Sequence, residues 1–125
     1  MPRTISDQLD EVVELLRGAG ARFAYLFGSQ SDGSSRTESD IDIAAFFGRR
    51  IASFDVLLPS DVDLLVLDTA PLELAGRVAL HGTLLFNADF SERVHWEATT
   101  RKIYLDEKPR FERAHREFIE AVRHG

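Results

Sequence analysis

The chain has no cysteine, which excludes disulfides and thiolate-held metal centres and agrees with a cytoplasmic home. No apolar run approaches the roughly 20 residues needed to span a bilayer. The opening Met1-Pro2-Arg3-Thr4-Ile5-Ser6-Asp7 holds one basic residue and no apolar signal core, so neither secretion nor membrane insertion is expected. Basic charge is also in deficit. The net charge of −6 speaks against broad nucleic-acid binding, which needs clustered Lys and Arg to displace counterions. Internal repeats, low-complexity tracts and linkers are absent, and 125 residues fit one compact domain with no room for a second. What is present, 44% hydrophobic and 29% charged residues, is the composition of a globular protein.

The hydrophobic pattern predicts an α/β domain. Leu9, Val12, Val13 and Leu16 recur at helical spacing after a capping-box-like Thr4 and Asp7, and Gly18 and Gly20 stop the helix. Arg22 to Phe27, between glycines, reads as a strand, and Ile41 to Phe47 as a second. Between them Gly28 to Ser39 is a Ser- and Gly-rich loop. Gly48 to Ser60 is ambiguous; Ile51, Phe54, Leu57 and Leu58 suit a short helix that Pro59 would end. Val62 to Leu67 is so continuously apolar that a central strand is expected. A helix opened by Pro71 and closed by Gly82 comes next, then a short strand from Thr83 to Phe86. From Ser91 the pattern is helical, with a break near Lys108-Pro109 and an apolar stripe of Phe111, Ala114, Phe118, Ile119 and Val122.

The chemistry concentrates between Leu26 and Ile43. One strand delivers Gly28-Ser29 into the loop, and the next opens with Asp40-Ile41-Asp42. Because side chains alternate along a strand, Asp40 and Asp42 share one face, while Ile41 and Ile43 take the other. Two carboxylates that close repel each other unless solvent or a hard cation neutralises them, and Mg²⁺, which takes oxygen ligands and shares them with phosphates, is the natural cation. Asp63 opens the third strand; if that strand neighbours the second, it reaches the same corner. Three such carboxylates can hold two metals about 3.5 to 4 Å apart, which clamp the attacking and leaving oxygens of a displacement at phosphorus. Glycine at position 28 lets backbone approach a phosphate, and the Ser29 hydroxyl and neighbouring amides donate to it. Taken alone, an Asp-x-Asp is ordinarily a strand edge or turn and a Gly-Ser carries almost nothing. Their combination at this separation carries the argument. Asp61 reads as a turn residue and Asp68 as a cap for the helix after it.

Gly28-Ser29, ten residues, then Asp40-Ile41-Asp42 resembles the signature of the DNA-polymerase-β-type nucleotidyltransferase superfamily. Within it the order of elements from Leu9 to Phe86, ending His81-Gly82-Thr83-Leu84-Leu85-Phe86, is similar to the minimal nucleotidyltransferases, or MNT proteins. The resemblance implies a nucleotidyltransferase fold: a small mixed β-sheet flanked by helices with a C-terminal helical extension, one domain over 1–125 with an α/β catalytic core at 1–88 and helices at 89–125. It further implies that Asp40 and Asp42 ligate two Mg²⁺ ions, that Gly28 and Ser29 hold the phosphates of an ATP donor, and that Asp63 completes one metal site and helps deprotonate the acceptor. Many MNT proteins are antitoxins that silence an all-helical HEPN ribonuclease toxin by transferring AMP onto one of its tyrosines; the same partner and reaction are implied here. One departure is visible. Family members often carry basic residues just after Gly-Ser, where this loop has Gln30 and Asp32 and only Arg36 as a cation. Arg36 or Arg77 could substitute, although each is ordinarily a solvated surface charge.

Two alternatives stay open: the same chemistry on a small molecule or an RNA 3′ end, and a binding protein on a retired catalytic scaffold that neutralises its partner by occlusion. His81 either touches a nucleotide or interacts with the exposed carbonyls of its helix end. Trp96 with Tyr104, and Phe111 with Phe118, form stripes that are ordinarily core; exposed, they would anchor a partner. The mixed charges from Arg110 to Arg123 read as a solvated face, and His95, His115 and His124 have no metal-ligand spacing.

Overall fold

A computed structural model describes residues 4–28 and 41–124. Helix α1 (Ile5–Gly18) starts where Thr4 accepts a hydrogen bond from the Asp7 amide at 3.1 Å and the Asp7 carboxylate accepts from the Thr4 amide at 3.4 Å. This reciprocal pair satisfies two amides that the first turn leaves without carbonyls. At the other end Gly20, at φ +91°, donates to Arg17 O and Ala21 donates to Leu16 O. That closure needs a left-handed residue after the cap, which glycine supplies without a Cβ clash. Strands β1 (Phe23–Phe27), β2 (Ile41–Phe46), β3 (Val62–Val66) and β4 (Thr83–Asn87) form one sheet in the order β3-β2-β1-β4. Strand β1 is antiparallel to both β2 and β4, and β2 runs parallel to β3.

Strand alternation sorts the side chains onto two faces. On one, Ile41, Ile43, Ala45, Ala24, Val66 and Phe86 pack against Val12 and Leu16 of α1. On the other, Phe23, Tyr25 and Ala44 meet Ala75 and Val78 of helix α2 (Leu72–His81) and Trp96 of helix α3 (Phe90–His124). The chain is thus a small mixed sheet flanked by helices with a helical C-terminal extension, the α/β class that the periodicity predicts.

Helix α3 begins where Asp89 accepts from the Glu92 amide at 3.0 Å. Its first half is anchored three ways. The Trp96 ring lies 5.6 Å from Phe23 and 5.8 Å from Tyr25. Tyr104 covers Gly76 so closely that a Cβ there would fall 2.1 Å from the Tyr104 Cγ. Buried Glu97 takes hydrogen bonds from Arg93 and Arg101, and Arg101 also donates to Ala79 O of α2 at 2.7 Å. The Tyr25 hydroxyl is buried in the same place, and burial, then the Glu97 charge, pushes its pKa far above the usual tyrosine value.

Five expectations are revised. Strand β3 lies at the edge of the sheet. Its apolar run arises because both faces are partly covered, by Ile51 and Leu58 on the α1 side and by Ala70 on the other; coverage of the faces, not centrality, erases alternation. In the ambiguous stretch only a 3-10 turn forms, at Ser53–Asp55, with the Asp55 carboxylate accepting from the Ala52 amide at 3.1 Å. Asp68 does not cap α2. It accepts from the amides of Phe47 at 2.9 Å and Gly48 at 2.8 Å, tying the end of β2 to the end of β3. Finally, α3 runs through Pro109 without a break. A proline there removes one bond to a carbonyl a turn earlier and crowds it, but this stretch is almost wholly exposed, where a carbonyl without a helical partner costs little because solvent can satisfy it. The stripe beyond it is not core: Phe111 is half-buried against Tyr104, whereas Phe118 and Val122 are 67% and 66% exposed.

Candidate active site

The end of β1 and the starts of β2 and β3 meet at one corner of the sheet. Phe27 is the cross-strand partner of Asp42, and Asp42 stands beside Asp63 in the parallel β2–β3 register. Register partners on adjacent strands share a face at about 4.8 Å spacing, so the two carboxylates stand side by side on the face that carries α2 and α3. Ile41 and Ile43 point the other way, into the α1 core, with 2% and 0% exposure. Asp42 is half-buried and Asp63 exposed. Gly28 comes directly after β1 with φ +79°, a backbone conformation that L side chains rarely adopt. A Cβ at this position would lie 2.5 Å from Asp42 Oδ2. The Asp42 carboxylate therefore sits tightly against the Gly28 backbone, in the space that a side chain at this position would need.

Asp40 and Ser29, together with Gln30, Asp32 and Arg36, lie outside the described residues. Among the described residues no group of three or more His, Asp or Glu side chains gathers as a metal cluster; the corner as described holds two carboxylates, Asp42 and Asp63. Oxygen donors of this type suit a hard cation such as Mg²⁺. Asp61 stays apart: its carbonyl accepts from Ile41 N at 2.8 Å and its carboxylate from Gln8 Nε2 at 3.2 Å, which ties α1 to the turn before β3.

A cleft of about 430 Å³ adjoins the corner, lined by Phe27, Gly28, Leu74, Arg77, Val78, His81 and Gly82. The helical spacing of its α2 residues, 74, 77, 78 and 81, is legible in the sequence as a second face beside the core positions Ala75 and Ala79. Apolar and basic residues alternate on that face, so it does not stand out as a hydrophobic stripe. Arg77 pairs with Glu73 at 2.9 Å with both side chains about half exposed, an ion pair of little worth that is easily redirected.

Such a fold, with paired strand carboxylates beside a glycine turn, is that of a nucleotidyltransferase domain. Residues 10–91 match the family model of the polymerase beta nucleotidyltransferases. The chain belongs to this family. No curated protein sequence matches it significantly. Among solved structures it resembles a chain of a toxin–antitoxin crystallised with AMP-PNP, with a TM-score of 0.67 and 25% identity over 91% of this chain and 97% of that one. It shares its fold with a chain of the MntA-HepT toxin–antitoxin, at TM-score 0.61 and 22% identity over 92% and 96% of the two chains. The fold is likewise that of a chain in the complex of a tri-AMPylated Shewanella oneidensis HEPN toxin with MNT antitoxin, at TM-score 0.63 and 22% identity over 95% and 98%. No helix among the described residues is long and apolar enough to cross a membrane.

Proposed function

We propose that the chain is a protein adenylyltransferase that acts as an antitoxin, transferring AMP from ATP onto a HEPN-type ribonuclease toxin in the cytoplasm. The observation that carries this is the register pairing of Asp42 with Asp63 beside Gly28 in a member of a nucleotidyltransferase family. The partner and donor are supported by structural relatives that are toxin–antitoxin complexes, one of them with AMP-PNP. In this reading the chain works as one domain, with the catalytic core at 1–88 and the helices at 89–125 as its extension.

Asp40, Asp42 and Asp63 would hold two Mg²⁺ ions, and Gly28 and Ser29 the donor phosphates. When bound, the metal neutralises charge on the phosphates and acidifies the acceptor hydroxyl. The chain's own residues do the rest. Gly28 lets the phosphates approach the backbone without a side chain in the way. Asp63, exposed at the edge strand, stands where an acceptor can arrive from solvent, and it takes the hydroxyl proton as the acceptor oxygen bonds to the α-phosphorus and pyrophosphate departs. Substrate would enter from opposite sides: donor along β1, acceptor along β3.

The test is intact-mass analysis of both chains after incubation with the co-encoded neighbour, ATP and Mg²⁺. One or more AMP units should appear on the neighbour, and not with Asp42→Asn. A stable complex without any mass change, for ATP and the other nucleoside triphosphates alike, would refute adenylylation and leave occlusion.

A further inference from the structure

We propose that the cleft between the end of β1 and α2 is the pocket for the base of the donor nucleotide, with Leu74, Arg77 and His81 selecting which base is accepted. The inference rests on the nucleotidyltransferase reading and adds to it a site for the other end of the donor. Three observations support it. The first is contiguity. Phe27 and Gly28 line the cleft, and the same two residues touch the carboxylate corner, Phe27 as the cross-strand partner of Asp42 and Gly28 by its approach to Asp42 Oδ2. A nucleotide whose phosphates lie over Gly28 has its base within reach of this cleft on the side away from Asp63.

The second is chemistry. The walls supplied by Phe27, Leu74 and Val78 are apolar, which suits the face of a planar heterocycle and does not suit a polyphosphate. Arg77 and His81 stand one helical turn apart at the rim, where a guanidinium can stack on a base or donate to its acceptors, the ring nitrogens of adenine or the carbonyls of the other bases. The third is availability. Leu74 is 39% exposed although Ala75, Val78 and Ala79 of the same helix are buried, and the Arg77–Glu73 pair is too exposed to hold the guanidinium in place.

The test compares two probes on the full chain by calorimetry with Mg²⁺ present: ATP, and tripolyphosphate, which has the phosphates without a base. Leu74→Trp fills the cleft from an exposed helix position, and circular dichroism checks that the fold is kept. We expect ATP binding to weaken by about 10- to 100-fold, the scale of a pocket contact, with tripolyphosphate affected by less than roughly twofold. Arg77→Ala should alter the ranking of ATP, GTP, CTP and UTP. Equal weakening of both probes would put phosphates in the cleft and overturn the base assignment. Unchanged ATP affinity in Leu74→Trp would remove the cleft from the donor site while leaving the nucleotidyltransferase reading intact. Wild-type protein that binds none of the four nucleoside triphosphates would overturn both.

Discussion

Gly28→Ala separates the stability role of this glycine from its role at the carboxylate corner. The new methyl meets two obstacles. At φ +79° an L side chain costs about 1–2 kcal/mol. The Cβ would also sit 2.5 Å from Asp42 Oδ2, whereas comfortable non-bonded contact needs about 3.5 Å, so the carboxylate must retreat by about 1 Å. Misplacement on that scale costs about 100-fold in rate where the group takes part in the chemistry. Expected, then, are a melting temperature lower by roughly 3–8 °C and AMP transfer slower by about two orders of magnitude. Gly48→Ala is the control. Gly48 also has positive φ, +73°, and its Cβ would fall 2.8 Å from Arg22 Nε, but it lies beyond the far end of β2. It should lose comparable stability and keep its rate. Transfer by Gly28→Ala within roughly threefold of wild type, with the stability loss present, would refute the claim that Gly28 sets the position of a working carboxylate.

Asp63→Asn should lower transfer by about 10²- to 10⁴-fold, the worth of a positioned general base, without lowering the melting temperature, since it relieves repulsion with its register neighbour Asp42; a melt that collapses with the rate would make Asp63 structural. Gly76→Ala sets overpacking of about 1–3 kcal/mol against a helix-propensity gain of about 1 kcal/mol. Because the clash is with the Cβ, Cγ and Cδ1 of Tyr104, the rigid root of the ring, a net loss is expected in urea melts, and a more stable variant would show that α3 does not pack against α2 through Tyr104. For Tyr25 the pKa is raised by burial and by Glu97, so the unfolded chain ionises first. Stability is then fully present below pH of about 10 and falls as pH rises above it, by up to about 1.4 kcal/mol per pH unit. Urea melts from neutral to alkaline pH should show that fall flattened in Tyr25→Phe, and an unchanged alkaline limb would contradict the assignment.

What was legible in the sequence was what local chemistry decides. The capping box of Thr4 and Asp7, the glycine after α1 and the alternation at Ile41-Asp42-Ile43 each depend on residues within one turn or one strand, and each is found in the fold. What depends on residues far apart was not legible. Asp68 reads as a helix cap because α2 comes after it, but its carboxylate goes to amides 20 and 21 residues earlier. The continuous apolar run of β3 reads as a central strand because hydropathy reports burial of faces and is blind to pairing of edges. The stripe of Phe111, Phe118 and Val122 reads as core because helical period shows that residues share a face, not that anything covers it.

The corner is the instructive mixture of the two. Asp42 could be placed on its face from the alternation alone, but Asp63 joins it only through the pairing of β2 with β3, which neither strand's own pattern specifies. The parallel register that places the two side by side requires a crossover connection, which the chain builds from 47–61 with no more than a 3-10 turn inside. Asp68 supplies the missing constraint: its two hydrogen bonds to Phe47 and Gly48 clamp the far ends of β2 and β3 together. Since a slip of one residue would turn the Asp63 carboxylate to the opposite face, Asp68, at the far end of the paired strands from the corner, belongs to the device that sets the carboxylate pair.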